Sequence, residues 1–203
     1  AGGDTTLAAT TYNNLTLNAT ETFQLGGATG ANGTVTLTSG TLEVGLQTLT
    51  AGHVTISGGT FSMTGSGGAL KLNNDGVLSM TSGGFTTADL ATAVCVTASG
   101  GSGCAPGAST FYEINLTGGT VNVAELELHA VKSVNTSGAD NAGVRIGSGV
   151  TLTNFNGITY NSDYWFDTFA GFHSYIINNI ISGVFDASSY HSDGTISARA
   201  RAS

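Results

Sequence analysis

The residues able to do chemistry in this chain fall into three groups. Cys95 and Cys104, its two cysteines, enclose Val-Thr-Ala-Ser-Gly-Gly-Ser-Gly. Such a pair can act as a redox couple or hold a metal. Its spacing is far from C-x-x-C, however, and no histidine is close in sequence, so a structural disulfide is expected. Closing so short a loop contributes roughly 2–3 kcal/mol through lost freedom of the unfolded chain. Asp163, Asp167, His173, Asp186, His191 and Asp193 form the second group. Paired carboxylates serve as acid and base in glycoside cleavage. Asn-Ser-Asp and Ser-Asp-Gly are also ordinary turn sequences, and basic residues to neutralise a uronate are nearly absent there. Glu125, Glu127 and His129 form the third, at i, i+2 and i+4 on one strand face. They read as a solvent-facing polar stripe more readily than as a cation site. No catalytic residue, cofactor or metal ligand is assigned.

Aromatic residues crowd the region from Phe155 to Phe185. Tyr164, Trp165, Phe166, Phe169, Phe172 and Tyr175 fill either a wide apolar core or a stacking platform for sugar or protein. Outward Thr-x-Thr pairs occur at Thr34/Thr36/Thr38, Thr48/Thr50 and Thr151/Thr153. Regular threonine ladders can template ice, which makes ice binding a minor alternative. Sequons start at Asn14, Asn18, Asn32, Asn115 and Asn135.

The elements that must position these residues follow from composition and repeat. Only 9% of the 203 residues are charged, where a globular domain has ~25%. Thirteen acidic against five basic residues give a net charge of -8, which repels a phosphate backbone and excludes nucleic acid as a partner. No apolar run reaches the ~18 residues of a membrane helix, so no transmembrane segment is expected. The first residue is Ala1, as in a processed product or a piece of something longer, and Ala1-Gly2-Gly3 would suit the small residues left after leader cleavage.

Short alternating segments recur between Gly, Asn and Ser. Asn14–Leu17, Thr34–Leu37 and Val54–Ser57 start 20 residues apart, and Thr22–Leu25, Thr41–Val44, Thr60–Met63 and Val77–Met80 step by 19, 19 and 17. Alternation sends Phe23, Leu25, Leu42, Val44, Phe61 and Met63 inward, and Thr22, Gln24, Thr41, Glu43, Thr60 and Ser62 outward. Gly26-Gly27, Ser39-Gly40, Gly58-Gly59 and Gly83-Gly84 supply corners. These features predict an all-β, right-handed parallel β-solenoid (β-helix) with about 19–20 residues per coil. Residues 1–85 form regular coils. Residues 86–110, with the cysteine loop and Pro106, form an excursion. Residues 111–203 hold further coils, with Ala124–Val131 read as strand, and an aromatic-rich end or cap.

The phrases Tyr12–Leu17, Asn32–Val44 and Val54–Phe61 resemble secreted bacterial right-handed β-helix surface proteins, the filamentous-haemagglutinin-like adhesins and autotransporter passengers. The resemblance implies an attachment or scaffold role outside the cell and transfers no catalytic residue. The expected function is thus that of an extracellular structural protein. It is non-enzymatic, a self-stacking subunit of a surface filament or an adhesin segment. Its partners are further copies of itself through the ends, at Thr5, Leu7, Tyr12, Leu15 and Leu17 on one side and Val184, Phe185 and Ile196 on the other. Cell-surface glycans are a second partner class, and a carbohydrate-binding or polysaccharide-cleaving protein is the competing reading.

Overall fold

Alternating apolar and hydroxylated residues favour extended backbone, because β-branched threonine fits the pleat while every second side chain can be buried. A computed structural model of the chain describes residues 3–88, 92, 94–107, 112–124, 126–129, 144–155, 158–160, 184–185 and 200–201. Among these the secondary structure is strand alone: β1 (Asp4–Leu7), β2 (Thr11–Tyr12), β3 (Leu15–Leu25), β4 (Thr29–Glu43), β5 (Thr48–Ile56), β6 (Thr60–Met63), β7 (Ala69–Leu72), β8 (Gly76–Met80), β9 (Gly84–Thr87), β10 (Cys95–Ala98), β11 (Tyr112–Val123), β12 (Leu126–His129), β13 (Val144–Phe155), β14 (Ile158–Tyr160), β15 (Val184–Phe185) and β16 (Ala200–Arg201). All but the last two belong to one sheet whose pairings are parallel; β15 and β16 form a separate antiparallel pair.

The expected solenoid is corrected by the way this sheet closes. β4 pairs with β6, β6 with β9, β9 with β11, β11 with β8, β8 with β5, and β5 again with β4. The result is a closed barrel of six parallel strands with further strands added to it, not a stack of coils. Two long strands make the closure possible. β4 gives residues 29–37 to β5 and residues 41–43 to β6, while β11 gives 112–116 to β8 and 120–122 to β9. Each therefore belongs to two rows of pairing, bent at a glycine between them: Gly40 with φ 76° and Gly119 with φ 97°.

Register follows the buried faces. Phe23 pairs with Leu42, Leu42 with Phe61, Phe61 with Phe85, and Phe85 with Val121. A second inner row runs Leu17, Leu37, Ile56, Met80, Leu116. A third runs Leu49, Leu70, Val96, Leu128. These residues are buried and form one apolar core. A slip of one residue would turn a whole row to water, so the apolar pattern fixes the register. The six residues predicted to point inward do so. Of those predicted to point outward, Ser62 is buried, because its short side chain lies between its register partners Glu43 and Thr86.

The repeat assignment needs two changes. Leu78–Met80 pairs with Val54–Ile56, and the row containing Thr60–Met63 continues into Gly84–Thr87. The step there is longer because the turn at Asn73–Gly76 intervenes, with Asp75 at φ 59°. The excursion is also shorter than 86–110. Cys95–Ala98 lies within the sheet, between β7 and β12, with Val94, Val96 and Ala98 in the core.

Candidate functional site

The outer face of β7, β10 and β12 gathers the reactive side chains. Parallel register sets Cys95 beside Ala69 and Glu127, and Thr97 beside Lys71 and His129. Side chains one strand apart in register share a face, and Val96 and Leu128 alternate to the core, so Cys95, Thr97, Lys71, Glu127 and His129 all project outward. Cys95 and Thr97 are nevertheless fully buried, and His129 is 7% exposed.

The chain from Ser99 to Gly107 accounts for part of that cover. It leaves β10, turns with Gly100 at φ 98° and Gly103 at φ 54°, and closes with Gly107 N–H donating to Ser99 O at 3.1 Å. Lys71 Nζ donates to Gly101 O at 2.7 Å. The disulfide between Cys95 and Cys104, with Cα atoms 5.9 Å apart, ties the loop to the strand. The pairing expected from the sequence is thus present. The loop has more than the disulfide to hold it.

Glu127 Oε2 accepts a hydrogen bond from His129 Nε2 at 3.1 Å. Cys104 Sγ, a carboxylate oxygen of Glu127 and an imidazole nitrogen of His129 all lie within 4.8 Å of one another. Glu127 and His129, read as part of a solvent-facing stripe, therefore lie beside the disulfide. Glu127 and His129 were visible in the sequence as neighbours on one face, but not as neighbours of Cys104. A separation of more than twenty residues is bridged only by strand register, which no local motif encodes. Glu125 lies outside the described residues.

The remaining predicted residues divide cleanly. Thr5, Leu7, Tyr12, Leu15 and Leu17 fall on β1, β2 and the first part of β3, at one end of the strand order. β1 pairs with residues 22–25 of β3; β2 pairs with β4, as does Leu15–Leu17. Among the described residues, none of these stretches has a strand partner on its other side. Val184 and Phe185 pair antiparallel with Ala200 and Arg201. Ile196, the aromatic set Tyr164, Trp165, Phe166, Phe169, Phe172 and Tyr175, and the group Asp163, Asp167, His173, Asp186, His191 and Asp193 lie outside the described residues. In the Thr-x-Thr triplet Thr34 pairs with His53 and only Thr36 with another threonine, Thr55, so the triplet does not repeat on the next strand.

Among the described residues no helix is long and apolar enough to cross a membrane. Comparison of the chain with protein-family models, with curated proteins and with solved structures finds no match.

Proposed function

We propose that this is an extracellular structural protein that assembles with further copies of itself through the open edge formed by β1, β2 and the start of β3. The observation that carries the reading is the shared position of Thr5, Leu7, Tyr12, Leu15 and Leu17 along main chain that, among the described residues, is paired on one side only. Open strand edges are templates for pairing, and proteins that remain monomeric blunt them with charge, proline or a covering element. Asp4 is the one charged residue between positions 3 and 18, and proline is absent there. The disulfide supports an oxidising compartment. Low charge and a loop stapled to the sheet by a short cross-link suit a scaffold.

The test uses a proline placed where it costs the monomer nothing. Successive residues of a strand direct their main-chain groups to opposite sides. Leu7 O accepts from Gly26 N–H, so Leu7 faces β3 and Thr6 presents its N–H to the open edge. Thr6→Pro removes an edge donor and no ladder bond. Size-exclusion chromatography and negative-stain electron microscopy should show wild-type assemblies and a Thr6→Pro monomer of unchanged melting temperature. A wild-type chain that stays monomeric at high concentration sinks the proposal.

A further inference from the structure

We infer that the patch beneath the Ser99–Gly107 loop is a divalent metal site that the disulfide masks: once Cys95 and Cys104 are reduced, their two thiolates, an imidazole nitrogen of His129 and a carboxylate oxygen of Glu127 bind a zinc ion. Cys95 and Cys104 start bonded to each other, and Cys104 Sγ, a Glu127 carboxylate oxygen and a His129 imidazole nitrogen already converge within 4.8 Å. Zinc with ligand bonds of about 2.0–2.3 Å holds its donors roughly 3.3–3.8 Å from one another, so small side-chain movements close the set. Two thiolates, one nitrogen and one carboxylate oxygen are donor types zinc takes in tetrahedral geometry.

The elements carrying the donors are rigid in three of four cases. Cys95 is on β10, and Glu127 and His129 are on β12, its parallel neighbour. Cys104 alone is on the loop, which Lys71 also ties to β7 through Gly101 O. His129 is buried while Cys104 and Glu127 are half-buried, so an ion can reach the donors from solvent.

The chemistry balances in two steps. A small dithiol attacks the disulfide and leaves as a cyclic disulfide, delivering two electrons and two protons to give the free thiols of Cys95 and Cys104. Zinc then displaces both thiol protons, and the imidazole and carboxylate donate without further proton loss from sulfur. The disulfide and the metal are mutually exclusive, so the patch reports the thiol redox state as metal held or metal released.

The experiment adds cobalt(II), then zinc, to the full chain in its oxidised form and after reduction with a phosphine that competes poorly for metal. Reduced wild type should take up a single cobalt ion with a thiolate-to-cobalt charge-transfer band and the visible bands of tetrahedral coordination; zinc should erase both. The oxidised chain should show neither. His129→Ala and Glu127→Gln should weaken zinc binding by more than ~100-fold and ~10-fold respectively, the first exceeding what loss of an outer-shell partner costs. The oxidised forms of both variants serve as folding controls, since their disulfide is intact. Absence of the thiolate band in reduced wild type overturns the proposal. So does a band that survives unchanged in His129→Ala, which would mean that the thiols bind metal without the patch. If reduction unfolds the chain, zinc must restore its circular dichroism, and failure to do so counts equally against it.

Discussion

Gly59 and Gly83 immediately precede the register partners Thr60 and Gly84, in a column of glycines where Gly59, Gly83 and Gly119 would each collide, if given a Cβ, with the carbonyl oxygen of the glycine before it. Gly40, Gly59, Gly83 and Gly119 all have positive φ, at 76°, 69°, 88° and 97°. The chain turns there between two rows of pairing, and the close approach lets Gly84 N–H donate to Gly59 O and Thr120 N–H to Gly83 O, both at 2.8 Å. Gly83→Ala pays twice, for the left-handed backbone and for the clash, and should lose about 3 kcal/mol or more. Gly45 has φ 60° with open space around it, so Gly45→Ala should lose only about 1 kcal/mol. Urea denaturation of the two variants, side by side, checks the difference.

Phe61 is fully buried, and its ring centroid is 6.0 Å from that of its register partner Phe85. Removing the ring leaves a cavity in a closed core that has few ways to collapse. Phe61→Ala should cost about 3–5 kcal/mol, and Phe61→Leu under about 2 kcal/mol. Thermal melts with matched denaturant curves measure both.

Among the described residues Tyr112 is the largest fully buried side chain, and its Oη donates to Val96 O at 2.8 Å across the core. This bond joins β11 to β10, which do not pair as strands. Tyr112→Phe keeps the ring and deletes the donor, so its expected cost is about 1–2 kcal/mol, with the far-ultraviolet spectrum unchanged. A loss near zero would show that the Val96 carbonyl is satisfied without it.

The Cys95–Cys104 disulfide closes a loop of sequence separation 9. Chain-entropy reasoning gives about 2–3 kcal/mol for a loop of that size. Cys95→Ser with Cys104→Ser, measured in the presence of a chelator, should fall by that amount and keep the same denaturant slope. A change in slope would instead place the effect on the compactness of the unfolded chain.

Much of this molecule was readable as sequence because its signals are local. Alternation at 23–25, 42–44 and 61–63 named the inward residues, and glycines at 40, 59 and 83 named the corners, since each depends on a residue's own backbone and its nearest neighbours. Closure was not readable. A parallel ladder with a step near 20 residues has the same periodicity whether the strands stack openly or return to a closed ring, and only the joint pairing of β4 with β5 and β6 decides it. The shift of Leu78–Met80 into the other row was likewise hidden, because Val-Leu-Ser-Met satisfies either register until the inserted turn at Asn73–Gly76 is counted. The meeting of Cys104 with Glu127 and His129 needed β12 to lie beside β10, a contact between distant segments that their local spacing does not announce.

The central claim is that the main chain of β1, β2 and the start of β3 is the surface through which copies join. Hydrogen–deuterium exchange at low and high protein concentration tests it most directly. The account predicts that amides within residues 4–17, that of Thr6 foremost, exchange more slowly as concentration rises, while the core amides of β5 and β8 stay the same. Identical exchange across residues 4–17 at both concentrations, or protection gained only elsewhere in the chain, would contradict it.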